Sequence, residues 1–126
     1  MTKPLLLIVD DEPDMAQFVG DIGEQVGFDA LITNSAAEFQ KSYISNQPSA
    51  IVIDIVMPDM DGIELINWLS ENNCNTPIIF ISGYDVLYLE TAKKLGNRKG
   101  CHVIGTLTKP FKVEELEPLL QKIINY

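Results

Sequence analysis

Five short apolar runs, each followed by a segment of helical length, constrain this chain more than any other feature. Residues 5–9, 50–53, 78–81 and 103–107 are rich in Val, Ile and Leu, and a weaker run covers 29–32. Runs this short that are apolar at successive positions fit strands buried on both faces, as in a parallel sheet. The segments between them are mixed in polarity. Residues 14–26 carry Met15, Phe18, Val19, Ile22 and Val26 at helical spacing. Helices are likewise expected over 35–45, 62–72, 85–95 and 113–125. Strand–helix alternation repeated five times predicts an α/β fold, a doubly wound five-stranded parallel sheet of order 2-1-3-4-5 covered by helices on both faces.

Punctuation supports the same division. Gly27 is the expected C-terminal cap of the first helix. Pro118 falls inside the last helical segment, so that helix is expected to kink or to begin near Glu117. No linker, low-complexity tract or internal repeat interrupts the 126 residues, which are read as one domain over 1–126. The balance of 9 basic and 18 acidic residues, a net charge of −9, argues against binding nucleic acid or an anionic membrane. The first apolar run stops at Asp10-Asp11 and is too short for a signal-peptide core or a membrane span. Cys74 and Cys101 have no metal-ligand spacing, and His102 does not complete a zinc site with them. They read as reduced, partly buried thiols of a cytoplasmic protein.

In an open parallel sheet, ligands bind beyond the carboxyl ends of the strands. Asp10-Asp11-Glu12 follows the first strand, Asp54 ends the third, Ser82-Gly83 follows the fourth and Thr108-Lys109-Pro110 the fifth. The first and third strands are neighbours in this order, so Asp10, Asp11 and Asp54 are expected close together. Packed carboxylates raise one another's pKa unless a cation joins them. Lys109 supplies only one positive charge. A hard divalent ion such as Mg²⁺, which takes carboxylates, waters and a phosphate, fits the remainder. The set reads as phosphoryl chemistry, with Asp54 as nucleophile and with Ser82 and Lys109 holding the transferring oxygens.

Four segments carry a resemblance: Ile8-Val9-Asp10-Asp11-Glu12, Asp54-Ile55-Val56-Met57-Pro58-Asp59-Met60-Asp61-Gly62, Ile81-Ser82-Gly83 and Leu107-Thr108-Lys109-Pro110-Phe111. Over essentially its whole length the chain resembles the receiver domain of two-component response regulators. The resemblance implies a flavodoxin-like sandwich in which Asp54 accepts a phosphoryl group from the phosphohistidine of a sensor histidine kinase or a phosphotransfer protein. It implies that Asp11, Asp54 and the backbone carbonyl of Val56 ligate Mg²⁺, with Asp10 acting through a metal-bound water. Ser82 would hydrogen-bond the phosphoryl group, Lys109 would ion-pair with it, and Pro110 would follow a cis peptide bond. The domain would be a switch rather than a metabolic enzyme, though it promotes its own phosphotransfer and dephosphorylation. Its output would pass through the fourth helix and fifth strand to an effector domain or partner protein, with homodimer formation left open.

Two departures stand out. The family's switch aromatic, three residues before the lysine, is here Thr106. Ser82 and Lys109 lie 27 positions apart, more than in ordinary receivers, and the excess is expected as a connection over residues 96–100. In this the chain is similar to receivers attached to EAL-type phosphodiesterases. Thr106 favours the alternative of a phosphorylation-independent interaction domain, whereas the intact acid–serine–lysine set favours the switch. A haloacid-dehalogenase-type phosphatase would need an Asp at Val56, and no Gly-rich loop for a nucleotide follows the first strand. Val56 and Tyr84 are expected to flank the water that attacks a phosphoryl group and to hinder it. Asp59 and Asp61 are expected as turn and cap residues. The Lys93, Lys94, Arg98 and Lys99 cluster reads as a solvated helix end or a docking surface for an acidic partner.

Overall fold

Successive side chains of a strand point to opposite faces of a sheet, so apolar runs buried throughout must feed two cores. The computed structural model describes residues 3–83 and 86–125. Strands β1 (Leu5–Val9), β2 (Asp29–Thr33), β3 (Ala50–Asp54), β4 (Pro77–Ser82) and β5 (His102–Thr108) alternate with helices α1 (Pro13–Val26), α2 (Ala36–Asn46), α3 (Gly62–Glu71), α4 (Val86–Arg98) and α5 (Val113–Ile124). All pairings are parallel, in the order β2-β1-β3-β4-β5, as the alternation predicts. Leu7, Val9, Ile51, Ile53 and Phe80 pack with Phe39, Leu65, Leu69 and Leu89, so α2, α3 and α4 cover one face. Leu6, Ile8, Val52, Ile79 and Ile81 pack with Val19, Ile22, Leu116 and Leu120, so α1 and α5 cover the other.

The ends of α1 follow local chemistry. Pro13 occupies the first turn, where its missing N–H is no loss and its fixed φ suits the helix. Gly27 adopts a φ of 123° and donates to the carbonyls of Gly23 and Glu24, a conformation that a side chain would resist.

Two expectations need correction, and β5 adds a feature that was not expected. The last helix begins at Val113, not near Glu117, and passes through Pro118. Its start is tied by the Lys112 N–H donating to Glu115 Oε1 at 3.0 Å, and Pro118 stands on an exposed side of the helix. Residues 96–98, expected within a connection, continue α4. Gly96 is needed inside this helix because a Cβ there would stand 2.8 Å from Val103 Cγ2. Only residues 99–101 then join α4 to β5, with the Cys101 N–H donating to the Gly96 carbonyl at 2.9 Å. Finally, β5 contains a bulge: Ile78 pairs with Val103 but Ile79 pairs with Gly105, leaving Ile104 as the extra residue. The bulge sends Val103 to the α4 face and Leu107 to the α1–α5 face. Cys74 and Cys101 are free and buried, and Trp68 and Tyr88 pack against the core.

Candidate functional site

The parallel strands deliver their carboxyl ends to one edge of the sheet, and the polar residues found there are held by backbone bonds. Asp10, just past β1, is fully buried. Its N–H donates to the Thr33 carbonyl at 3.2 Å, its carbonyl accepts from Asn34 Nδ2 at 3.0 Å, and its Oδ1 accepts the Glu12 N–H at 2.9 Å. Asp54, the last residue of β3, is also buried, and its Oδ1 accepts the Val56 N–H at 3.0 Å. Lys109 follows β5, donates its N–H to the Ser82 carbonyl at 2.8 Å and precedes a cis bond to Pro110, as expected. The Lys109 ammonium reaches Glu12 Oε1 at 2.9 Å, Asp10 Oδ2 at 3.0 Å and Asp54 Oδ2 at 3.1 Å.

Burial decides the electrostatics. It pushes the Asp54 carboxyl up; the Val56 N–H and the Lys109 ammonium pull it down, and the nearby Asp10 raises it again. The balance lifts it from 3.8 to about 6. For Lys109, burial works against the charge, but hydrogen bonds to Glu12 and Asp54 and the close Asp10 carboxylate outweigh it and hold the ammonium protonated above its ordinary range. Three carboxylates still share one ammonium. Asp10 Oδ2 is buried and, although within ion-pair distance of Lys109, makes no hydrogen bond.

A divalent cation fits this donor set. Ligand oxygens of Asp10, Glu12 and Asp54 lie within 4.8 Å of one another, they are hard donors, and their charge is uncompensated. Asp11, exposed, lines the same cleft of about 440 Å³ together with Glu12, Asp54, Val56, Gly83 and Lys109. A second cleft, of about 430 Å³, is lined by Asn75, His102 and Lys122 among others and includes no carboxylate side chain among the described residues.

The structure thus brings Asp10, Asp54 and Lys109 into contact, places Asp11 and Val56 on the cleft wall, and buries Ser82 beside Lys109 at the end of β4. Tyr84 lies outside the described residues. Asp61 caps the helix that follows it, as expected, and Asp59 caps a different one. Asp61 Oδ1 accepts the Glu64 N–H at 3.0 Å within α3, whereas Asp59 Oδ2 accepts the Ala36 N–H at 2.9 Å at the start of α2. Three contributors were missed. Glu12 reads in the sequence as the third acid of a run, yet among the described residues it is the carboxylate nearest Lys109. Thr33 and Asn34, which buttress β1 and Asp10, are a polar pair at the end of β2, a strand with no charged residue at its carboxyl end to draw attention.

Residues 6–121 match the response regulator receiver domain family. The transcriptional regulatory protein TrcR of Mycobacterium tuberculosis is 29% identical over 95% of this chain and 45% of its own length. The alkaline phosphatase synthesis transcriptional regulatory protein PhoP of Bacillus subtilis is 29% identical over 95% of this chain and 48% of its own. The chain therefore spans about half the length of these relatives. Among solved structures, the receiver domain of Francisella response regulator 1452 is 33% identical, with a TM-score of 0.81 and 97% of each chain covered. A response regulator from Colwellia psychrerythraea is 32% identical, with a TM-score of 0.80 and the same coverage. No described helix is long and apolar enough to cross a membrane. The family match over residues 6–121, together with two solved response regulators at 33% and 32% identity over 97% of the chain, shows that the chain belongs to the response regulator receiver domains of two-component signalling.

Proposed function

We propose that Asp54 is the phosphoacceptor. The observation that carries this reading is the shared ammonium: Lys109 lies within 3.1 Å of Asp54 Oδ2 and 3.0 Å of Asp10 Oδ2, at the edge where a parallel sheet binds its ligands. An Asp54 oxygen forms a P–O bond as the P–N bond of a donor phosphohistidine breaks, with the electron pair staying on the imidazole nitrogen. Lys109 then pairs with the phosphoryl oxygens, and Ser82, one residue beyond Ile81 on β4, completes the cradle. The Val56 N–H fixes the second Asp54 oxygen, so that one carboxylate oxygen faces the donor. Mg²⁺ would be held by Asp10 and Asp54 with Asp11 and the Val56 carbonyl, and when bound it supplies neutralising charge for the transferring phosphoryl group.

Residues 1–126 would form one receiver domain, a signalling module in the cytoplasm that works on a sensor histidine kinase or phosphotransfer protein and not on a metabolite. Free, buried Cys74 and Cys101 support a reducing compartment. Phosphorylation replaces the single charge of the Asp54 carboxylate with a phosphoryl group of about −1.5 to −2, and α4 and β5 carry the change outward. Thr106 Oγ1, at the usual aromatic position, faces Glu90 Oε1 on α4 at 3.4 Å, so a polar contact spans the two output elements. Incubation with acetyl phosphate and Mg²⁺, read by intact mass, should add one phosphoryl group to the wild type and none to Asp54→Asn. Equal uptake by the variant would move the acceptor elsewhere.

A further inference from the structure

Lys109 has three ammonium protons to donate, and three carboxylates stand within 3.1 Å of its nitrogen. They are not equivalent. The Asp10 and Asp54 side chains are 0% and 4% exposed, whereas that of Glu12 is 65% exposed and the closest of the three. The Glu12 N–H is pinned to Asp10 Oδ1, and Pro13 opens α1 directly afterwards. Its backbone is therefore fixed while its carboxylate sits in solvent. A phosphoryl group on Asp54 brings oxygens that need the same ammonium. Releasing buried Asp10 would strand an unpaired charge; releasing Glu12 costs little, because water replaces the lysine.

We propose that Glu12 is a positioning residue that holds the Lys109 ammonium at the mouth of the resting site, competes with the phosphoryl oxygens for it, and is the partner released on phosphorylation. The proposal rests on the reading of Asp54 as phosphoacceptor. It differs from a role for Glu12 as a cation ligand, which its distance from Asp10 and Asp54 would also allow.

The full chain, Glu12→Gln and Glu12→Ala are titrated by calorimetry, first with Mg²⁺ alone, then with beryllofluoride, a phosphoryl mimic, at saturating Mg²⁺. Both variants should bind beryllofluoride about two- to fivefold tighter, the scale of one exposed ion pair, with Mg²⁺ affinity held. The Lys109 ammonium protons should exchange with water faster in both variants than in the wild type, as read by NMR in chelator, which a purely structural role for Glu12 would not produce. Unchanged or weaker beryllofluoride binding, or an unaltered ammonium exchange rate, overturns the proposal. A loss of Mg²⁺ affinity of about tenfold or more overturns it too, making Glu12 a ligand. A wild type that binds Mg²⁺ but no beryllofluoride overturns the phosphoacceptor reading, and this inference with it.

Discussion

Asp54 carries opposite demands in the resting and the loaded site. In the cation-free protein it is buried and its carboxyl titrates at about 6, against 3.8 ordinarily. Between those values the folded chain binds a proton that the unfolded chain has released, so this group's contribution to stability falls as pH rises from about 4 to about 6. Asp54→Asn removes the cost of the buried charge. In chelator it should stabilise the fold at pH 7 by on the order of 1–3 kcal/mol, with a smaller gain at pH 5, as read by urea denaturation at both values. Val56 bears on the reverse reaction. It is an apolar wall of the cleft that holds Asp54 and Lys109, leaving an attacking water without a partner on that side. Val56→Asn should shorten the phosphorylated lifetime by about tenfold, the low end of what positioning a nucleophile yields, in a decay followed by intact mass. The acids and the lysine were legible in the sequence because charge at the end of a buried strand has no packing reason to be there. Glu12 was not, since an exposed glutamate before a helix looks like a dipole partner until its distance to Lys109 is known.

At the level of elements, the strands were legible from their short apolar runs and the five helices from the segments of helical length between them, with only the C-terminal end of α4 extending well past its expected span. What stayed hidden depends on contacts between elements. Gly96 reads in sequence as a helix stop, but in the fold it lets α4 lie against β5. Gly96→Ala should cost about 1–3 kcal/mol by overpacking against Val103, although alanine favours the helix itself, and denaturant midpoints measure the difference. The bulge at Ile104 was equally silent, for one extra residue in an apolar run leaves the composition of a strand unchanged. Asp59 shows the same limit. Its carboxylate caps α2 from 23 residues away, so Asp59→Ala should cost about 1 kcal/mol and raise hydrogen exchange at the start of α2, with α3, capped by Asp61, unaffected.

For the molecule as a whole, a net charge of −9 could be diffuse surface charge or could belong to a site. Asp10, Asp11, Glu12, Asp14, Asp54, Asp59 and Asp61 fall in two chain segments at one sheet edge, and the two capping acids among them are already satisfied by backbone donors. The uncompensated part is therefore the pocket around Lys109. The two accounts separate under salt. Diffuse repulsion is relieved by any electrolyte through screening, whereas a site responds to the ion that binds it, by RT ln(1 + [L]/Kd). At matched ionic strength, Mg²⁺ at one hundred times its Kd should stabilise the wild type by about 2.7 kcal/mol over NaCl, a rise in Tm on the order of ten degrees. Asp54→Asn should keep the NaCl response and lose most of the Mg²⁺ increment, because it has given up the buried charge that the cation neutralises. An equal rise with both salts, or an increment that survives in Asp54→Asn, would return the acidity to the surface.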